Sequence, residues 1–549
     1  MRVTMRRMGT MLTRRPLSSR HILPQSSSRR SRDIVGAMNL RTTLALASLL
    51  SLGALAHPAF VQAATYHVSP SGSDAGDGSS ASPWATLQYA ADQVAAGDEV
   101  VVAAGSYAGF FLDTGGAADS RVVFRGNGAV VIDEESGTEG TGIHLDNVSY
   151  VTIEGFRIVG VSGRGVAHRG ATADSPVAGL IIRGNTVENV GREGMYLSQV
   201  SDSLIEGNTI HGAGTSGADR THGIYLSNAG SDGTTIRGNH IYENGTAGIH
   251  FNGDASIGGD GIISNLVIEN NIIHDNGQNG LNMDGVQDTL VQNNVIYGNT
   301  LNGIRAYVID GSEGPRNLTI VNNTFHVPTG GGWCVRVTDY QGLVVFNNIL
   351  ANDGSNGSIA VDDTGELTSD YNAVSDTFTP DRDSSYLDLS EWQALGFDGN
   401  SFIASITDLV EDAAGADYEL SSSSGALDVG VAMLGGASAP AADLLGNTRP
   451  VGSAHDLGAY ELCTGAGCMS APDAGSTPDA GPTPDSGPSP DGSLSDGGSA
   501  SDGGADGGAG SSDGGCGCDL GASSTPRGTF PVLALAAMVL VGLRRRRRR

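Results

Sequence analysis

The chain has 549 residues, of which 17% are charged, and a formal net charge of −29. Without residues 1–64 and the six terminal arginines, 15 Arg stand against 59 acidic residues, a net charge of −44. Such a surface repels polyanions, which excludes nucleic acid and anionic lipid as principal partners. An anionic glycan would need Ca²⁺ or a local group of Arg residues to approach it. The composition also includes 82 glycines, only 5% aromatic residues and no lysine, which is typical of a turn-rich β-protein.

The first segment, residues 1–64, is predicted to be an N-terminal extension with a signal peptide. From Met38 a basic start is followed by an apolar run that ends at the small-residue site Val61-Gln62-Ala63. Residues 1–37 carry nine Arg and are either an extended basic region or the product of a start codon assigned too early. We therefore expect the protein to be exported.

Residues 65–120 are predicted to cap the amino-terminal end of a repeat array. A short amphipathic helix is expected over about Thr86 to Ala96, followed by a strand over Glu99–Ala103. A helix at this end would cover the apolar edge of the first repeat.

Residues 121–365 contain a repeated phrase in which Gly-Asn or Asn-Asn is followed, two residues after the second Asn position, by an apolar residue. Its asparagines are 23, 31, 32, 23, 29 and 25 residues apart, at positions 185, 208, 239, 271, 294, 323 and 348. Repeats that lack a core of their own must stack to bury one, and the apolar residues around each Asn have period two. Stacked Asn side chains can also hydrogen-bond along the column. The pattern predicts an all-β protein, a parallel β-helix.

The remaining segments are a closing segment, residues 366–462, a linker and a tail. Residues 471–515 repeat Pro-Asp-Ala-Gly and Asp-Gly-Gly, a composition that favours disorder. Residues 516–549 combine Cys516-Gly-Cys518, a short apolar stretch and six Arg. Of the other cysteines, Cys463 and Cys468 can close a small disulfide in an exported protein, and Cys334 is left over.

Two parts of the chain resemble known families. The tail resembles the myxobacterial C-terminal sorting signal, which implies anchoring at the cell surface and membrane contact through the tail alone. The opening segment, with Tyr66-His-Val-Ser-Pro and Ser82-Pro-Trp, resembles secreted pectate-lyase-like β-helix proteins. The stretch Thr221–Ser227 also recurs in that superfamily. The resemblance implies a right-handed β-helix. Polysaccharide lyases are among the members of that superfamily. We expect a monomer.

A candidate site emerges when the strands after each Gly-ended turn are aligned. Their first and third residues are mostly apolar and are expected to point inward, so the second and fourth should point outward. The rows are Ile143–Asp146, Val166–Arg169, Met195–Ser198, Ile224–Ser227, Ile249–Asn252, Leu281–Asp284 and Ile304–Tyr307. The outward face then carries aromatic, imidazole, amide and guanidinium groups in neighbouring rungs. Since a sugar unit is about as long as one rung spacing of roughly 4.8 Å, such a strip can follow a polysaccharide.

The chemistry that suits this face is β-elimination of a uronate-containing glycan. It needs a base for the C5 proton, a cation beside the carboxylate and an acid for the leaving oxygen. Without lysine, the predicted base is His222 or His250, with Tyr225 as the proton donor. The predicted cation is Arg305 or Arg220.

Further residues of the face are predicted to bind substrate or metal. The expected substrate-binding residues are Glu193, Tyr196, Arg220, Asn252, Asn282 and Tyr307. Oxygen ligands for Ca²⁺ are expected from Asp254, Asp260 and Asp284, with Asn252 beside them.

Three alternatives stay open. The first is a glycoside hydrolase, which needs two carboxyls about 5–9.5 Å apart. Glu193 and Asp284 are about 14 Å apart by rung spacing and are excluded as this pair, so Asp254 and Asp284 remain. A uronate epimerase would use the same base and acid as the lyase. The third is a non-catalytic glycan-binding or structural solenoid.

A second outward column is expected to pack loops rather than to act on a substrate. Its residues are His211, Tyr242, His274, Tyr297 and His326.

Overall fold

The computed structural model describes residues 63–217, 221–465 and 468–469. The predicted signal peptide up to residue 62, the linker 471–515 and the tail 516–549 lie outside these residues. So does Arg220.

Each turn of the described chain is a coil of three short strands around an apolar centre. One coil consists of the strands Leu204–Glu206, Thr209–His211 and Ile224–Ser227, and Asn208 lies at the corner between the first two. Its inward residues Ile205, Ile210, Ile224 and Leu226 are fully buried. Because inward residues alternate with outward ones, the period-two pattern of the sequence becomes a continuous apolar core. The prediction of a parallel β-helix is confirmed.

The strands of successive coils pair in parallel and form two long sheets. The smaller, eleven-stranded sheet contains the strands Phe110–Leu112, Ile143–Asp146, Val166–Arg169, Met195–Ser198, Ile224–Ser227, Ile249–Asn252, Leu281–Asp284, Ile304–Tyr307, Val335–Val337, Ile359–Val361 and Phe378–Thr379. The seven aligned rows of the sequence are therefore strands of one sheet, with the predicted bounds.

The larger sheet has 22 strands and bends at the Asn corners. Its strands before residue 200 are Thr65–Val68, Glu99–Ala108, Val122–Glu134, Val151–Val159, Ile181–Arg183 and Thr186–Glu188. Those up to residue 300 are Leu204–Glu206, Thr209–His211, Thr235–Arg237, His240–Tyr242, Ile263–Ser264, Val267–Glu269, Ile272–His274, Val286–Gln292 and Val295–Tyr297. The last are Arg316–Val321, Thr324–Val327, Gln341–Phe346, Ile349–Asn352, Leu367–Asp370, Ala373–Val374 and Phe402–Ile403. Parallel pairing thus begins before residue 121 and continues after residue 365.

The repeated asparagines form a hydrogen-bonded ladder inside the coils. Asn208 Nδ2 donates to Asn239 Oδ1 at 2.9 Å, and the same amide-to-amide bond links every step from Asn185 to Asn372. Each Asn of the ladder also binds backbone groups of adjacent coils, so the buried amides of the ladder are paired. The predicted Asn column is confirmed, and it extends one coil beyond the last repeat phrase. A second ladder, Asn244, Asn276 and Asn299, supports a neighbouring corner.

Both ends of the solenoid are covered by shorter elements. The predicted N-terminal helix is observed as Leu87–Gln93, N-capped by Thr86 and ended by the extended residue Val94. At the other end lie the helix Leu389–Ala394, the 3₁₀ turns Ile406–Asp408 and Ala413–Gly415, and the hairpin strands Val410–Asp412, Asp417–Leu420, Met433–Leu434 and Ala437–Ser438. The two-stranded pair Val177–Ala178 and Val200–Ser201 and the 3₁₀ turn Ala255–Ile257 lie in insertions.

The closing segment is held to the coils by buried polar contacts. Arg449 forms an ion pair with Glu461 at 2.8 Å, and both side chains are fully buried. Asn322 Nδ2 of a coil donates to the carbonyl of Asp456 at 2.9 Å. Cys463 and Cys468 form the predicted disulfide, whereas Cys334 is a buried free thiol. Within the described ranges, no helix has the length and apolar character needed to cross a membrane.

Candidate functional site

The candidate site lies on the outward face of the eleven-stranded sheet. The first and third residues of the seven rows belong to the buried core, with His168 as the polar exception. The second and fourth residues stand on the other side, in register from coil to coil, so Tyr196, Tyr225, His250, Asn282 and Arg305 occupy one column. We call this surface the site face. It is a partly covered surface, because Tyr225 and Asn282 are buried by their neighbours.

The centre of the site face is a cluster of three rings, His222, Tyr225 and His250, which we call the central cluster. The rings of Tyr225 and His250 stack with centroids 4.8 Å apart and an interplanar angle of 12°. The centroid of the His222 ring lies 4.5 Å from that of His250, in an edge-on arrangement, and 5.2 Å from that of Tyr225, in a tilted one. His222 and Tyr225 are buried, whereas His250 is only half-buried. The structure therefore brings together three of the four predicted catalytic residues.

Hydrogen bonds orient the two imidazoles of the central cluster. His222 Nε2 lies 3.0 Å from His250 Nδ1. On its other side, His222 Nδ1 accepts from the backbone N–H of Ala247 at 3.3 Å and lies 2.8 Å from Thr246 Oγ1. The Ala247 N–H favours the tautomer of neutral His222 that has its proton on Nε2, and the Thr246 hydroxyl, which can accept as well as donate, also permits the tautomer that has the proton on Nδ1. The pair can thus pass a proton between its rings, and the sequence did not identify Thr246 as its partner.

Arg305, the fourth predicted catalytic residue, lies away from the central cluster. It follows His250 by two rungs in the same column, which corresponds to about 10 Å. Its guanidinium lies 4.7 Å from the ring centroid of Tyr307. Arg305 therefore lies on the site face but outside the central cluster.

An arginine group, Arg164 and Arg169, lies on the opposite side of the central cluster, and neither residue was among the predicted catalytic or substrate-binding residues. Arg164 Nε donates to Glu193 Oε2 at 2.8 Å, and Arg164 also binds the more exposed Glu139 at 3.0 Å. The guanidinium carbons of Arg164 and Arg169 lie 4.6 and 5.5 Å from the centroid of Tyr196. Outward arginines are rare in so acidic a chain, and this rarity was the sequence signal that could have identified them.

Glu193 differs from its prediction as a substrate-binding residue. Its side chain is 0% exposed and is held by the ion pair with Arg164. A carboxylate at this depth supports the face from below and does not contact a ligand directly. Tyr196, in contrast, is half-buried and lies beside the central cluster, with its ring 5.5 Å from that of Tyr225.

An amide group continues the site face beyond the central cluster. Asn279 Nδ2 donates to Asn282 Oδ1 at 2.9 Å, and Asn282 Nδ2 donates to the hydroxyl of Tyr307 at 2.8 Å. Asn302 donates to Asn279 Oδ1 at 2.8 Å. Two predicted substrate-binding residues, Asn282 and Tyr307, are thus joined in one network.

The predicted metal ligands do not form a group suited to an ion. Asp284 is buried and its carboxylate accepts the backbone N–H groups of Ile309 and Asp310 at 2.9 and 2.8 Å. Burial raises the pKa of Asp284. Asp254 caps a 3₁₀ turn at Ser256, and Asp260 accepts from the N–H of Ile262. In the described part of the chain, no cluster of three or more His, Cys, Asp or Glu could hold a metal ion.

The aspartates instead support the insertions beside the site face. The insertion 254–264 contacts the loop 309–312 through the Ala255 N–H, which donates to the carbonyl of Asp310 at 2.9 Å. Buried Asn252 lies at the start of this insertion, in register with Ser227 and Asp284. Together these loops form a side wall of the site face.

The second outward column forms a stack of rings. His211 and Tyr242 are parallel at 4.6 Å, Tyr242 and His274 at 4.9 Å, and His274 and Tyr297 at 4.6 Å. The stack continues to Tyr418 of the closing segment, whose hydroxyl lies 2.8 Å from His326 Nδ1. These contacts agree with the expected packing role.

Comparison with known proteins supports the architecture. The family model described as the right-handed beta helix region matches residues 120–265 and 220–374. The crystal structure of pectate lyase Pel9A is 16% identical, with a TM-score of 0.51, over 72% of this chain and 96% of that chain. No curated protein sequence matches the chain.

Two further solved structures are similar at lower scores. An alginate lyase from Paenibacillus sp. str. FPU-7 is 18% identical, with a TM-score of 0.40, over 55% of this chain and 99% of that chain. A rhamnogalacturonan lyase is 14% identical, with a TM-score of 0.40, over 63% of this chain and 90% of that chain. The fold is a right-handed parallel β-helix, and likenesses at such identities show the fold alone.

Proposed function

We propose that the protein is a polysaccharide lyase that cleaves a uronate-containing glycan by β-elimination on the site face. The observation that carries the proposal is the His222–His250 pair, hydrogen-bonded at 3.0 Å, in which His250 stacks on Tyr225. Two coupled imidazoles and a phenol supply the base and the acid that the reaction needs at neutral pH. The name of the similar Pel9A structure, a pectate lyase, supports the same substrate class.

In the proposed reaction, His250 removes the C5 proton of the uronate unit, because it is the least buried member of the central cluster. The electron pair of the C5–H bond forms the C4–C5 double bond while the C4–O bond breaks. Tyr225 donates its proton to the leaving oxygen and later recovers one from His250. For this step His222 carries its proton on Nδ1, towards Thr246 Oγ1, so that His222 Nε2 accepts the Nδ1–H of His250 at 3.0 Å and stabilises the charged ring. His250 Nε2 is then the atom that takes the C5 proton. No redox partner is needed.

Arginines flank the central cluster on both sides and provide the cationic charge for an anionic chain. Arg169 lies two rungs before Tyr225, and Arg305 lies two rungs after His250. At about 4.8 Å per rung, each would reach the carboxylate of a unit roughly 10 Å from the cleaved bond. This arrangement offsets the strongly acidic surface along the path of the glycan.

The test is to incubate the purified protein with a panel of uronate glycans and to follow the ultraviolet absorbance of the unsaturated product. We expect an increase that is lost in His250→Ala and kept in His326→Ala, a matched histidine of the second column. New reducing ends without the unsaturated product would instead establish a hydrolase. Binding without cleavage would establish the non-catalytic alternative. The same assay with EDTA tests whether the activity depends on Ca²⁺.

Hydrolysis has less support from the geometry. The remaining carboxylate pair, Asp254 and Asp284, is engaged in separate backbone hydrogen bonds, and Asp284 is buried. An epimerase would use the central cluster in the same way as the lyase and is distinguished by its product alone.

We further propose that the protein is exported and anchored at the cell surface as a monomer. The support is the sequence of the two ends, which includes the tail 516–549. Protease treatment of intact cells should degrade the protein, and deletion of the tail should release it into the medium. Retention of the deletion variant on cells would contradict the role of the tail.

A further inference from the structure

A segment of the closing region folds back over the carboxyl-terminal end of the site face. Arg336, the next residue of the central column after Arg305, forms an ion pair with Asp383 at 2.5 Å. Arg382 binds Asp339 and Asp362 at 2.9 and 2.7 Å. These contacts fix the segment 380–387 against the outward side of the strands that follow the amide group.

Tyr386 of this segment presents an aromatic ring at the same end. The residue is 56% exposed, the most exposed tyrosine among the large apolar residues of the described surface. Its ring is parallel to the buried Trp333, with centroids 6.2 Å apart and an interplanar angle of 6°. The backbone N–H of Trp333 donates to Asn302 Oδ1 at 2.8 Å, which connects this indole to the amide group. Tyr386 therefore has a rigid support and an accessible surface.

The register of the sheet gives the distance between the central cluster and Arg336, which the ion pair with Asp383 joins to the segment of Tyr386. His250, Asn282, Arg305 and Arg336 occupy the same outward position in consecutive rungs. The three steps from His250 to Arg336 correspond to about 14 Å. This distance is about the length of three sugar units in an extended glycan.

We propose that Tyr386 and Arg336 form a distal glycan subsite, about three units from the cleaved bond. A sugar ring would lie against the exposed surface of Tyr386, where aromatic contact stabilises its apolar C–H face. Arg336, which Asp383 holds in place, would attract the carboxylate of that unit or the next. The inference rests on the proposed glycan function, and it assigns a minimum substrate length to the same site.

The experiment measures equilibrium binding of galacturonate and alginate oligosaccharides of two and six units to the full chain carrying His250→Ala, so that no cleavage interferes. We expect Tyr386→Ala in this background to raise the Kd of a hexasaccharide about five- to tenfold. Tyr386→Phe, which keeps the ring, should retain the affinity. Ile403→Ala, which removes a similarly exposed apolar side chain outside the site face, is the matched control.

The disaccharide separates the subsite from general binding, because its length of about 10 Å does not span the distance of about 14 Å to the subsite. An equal loss of affinity for both lengths, or no loss for either, would overturn the subsite. If the chain with an intact His250 cleaves no glycan but hexasaccharide binding still depends on Tyr386, the lyase proposal fails and the subsite stands. If cleavage occurs and binding is independent of Tyr386, the lyase stands and the subsite fails.

Discussion

His222 and His250 come from adjacent coils and are joined by a 3.0 Å hydrogen bond between Nε2 and Nδ1. A pair of this kind places two ionisable groups at one point of an otherwise rigid surface. Because the Ala247 N–H and Thr246 also hold His222, the geometry of His250 depends on residues that do not touch the substrate.

The first prediction concerns Thr246 as a positioning residue. Thr246→Val removes the 2.8 Å contact with His222 Nδ1 and leaves the Ala247 N–H in place. We expect kcat to fall about tenfold with little change in KM, since one orienting hydrogen bond is lost. The pH profile of kcat should also shift, because the contact affects the ionisation of the histidine pair.

Two further variants make this prediction specific. Thr246→Ser keeps the hydroxyl and should restore kcat. Thr300→Val removes a comparable hydroxyl, which donates to the carbonyl of Asn276, and should leave kcat unchanged. An equal loss of kcat in Thr300→Val would show that the effect is a general loosening of the coils.

Much of the fold followed from the sequence because a solenoid repeats one local rule. The Asn corners and the alternation of apolar residues predicted the coils, and the seven rows predicted the strands of the site face. The central cluster could be predicted for the same reason, since residues such as Tyr225 and His250 stand in register. In a repeating fold, residues that align between successive repeats are therefore neighbours in space.

The rest of the site depended on turns and insertions, which follow no repeat. The sequence placed Glu193 on the surface, but the turn directs it beneath Arg164. Asp284 was expected to bind a metal, but an insertion of the next coil supplies backbone N–H groups to its carboxylate. Side chains of these turns and insertions have no period, so sequence columns could not specify their partners.

The second prediction is that Glu193 stabilises the fold. Glu193→Gln leaves Arg164 without its buried carboxylate, and breaking such a pair costs about 3 kcal/mol. Denaturant unfolding followed by circular dichroism should show the lower midpoint. Glu139→Gln removes the exposed partner of the same arginine and should change the free energy of unfolding by less than about 1 kcal/mol. A Glu193→Gln variant with unchanged stability and a raised KM would instead indicate substrate contact.

The third prediction tests the Asn ladder at its middle. In Asn239→Ala, the N–H and side chain of Asn208 lose their acceptor, and the carbonyl of Ile205 loses its donor. Buried groups left unpaired each cost about 1–3 kcal/mol, so we expect a loss of about 2–4 kcal/mol in the free energy of unfolding. Hydrogen exchange should accelerate in the adjacent coils. The exposed Gln278→Ala is the control, and a similar loss there would mean that the ladder has no special role.

The fourth prediction concerns His168, the polar residue of the inward column. It lies between Leu145 and Leu197 in register, and its Nδ1 is 3.0 Å from the carbonyl of Ser198. Burial lowers the pKa of His168 from 6.5 to about 4. The unfolded chain therefore binds a proton more readily than the folded protein, and stability should fall as the pH decreases from 6.5 towards 4.

A shift of this size corresponds to about 3 kcal/mol near pH 4, at about 1.4 kcal/mol per pH unit. His168→Leu repeats the residue of the neighbouring rungs and removes the titration, at a cost of about 1 kcal/mol for the hydrogen bond to Ser198. We therefore expect the variant to be slightly less stable than the parent at pH 7.5 and more stable at pH 4. Denaturant midpoints of both proteins, measured at both pH values, check this reversal of their relative stabilities. Parallel pH dependences of the two proteins would show that His168 is not protonated on unfolding.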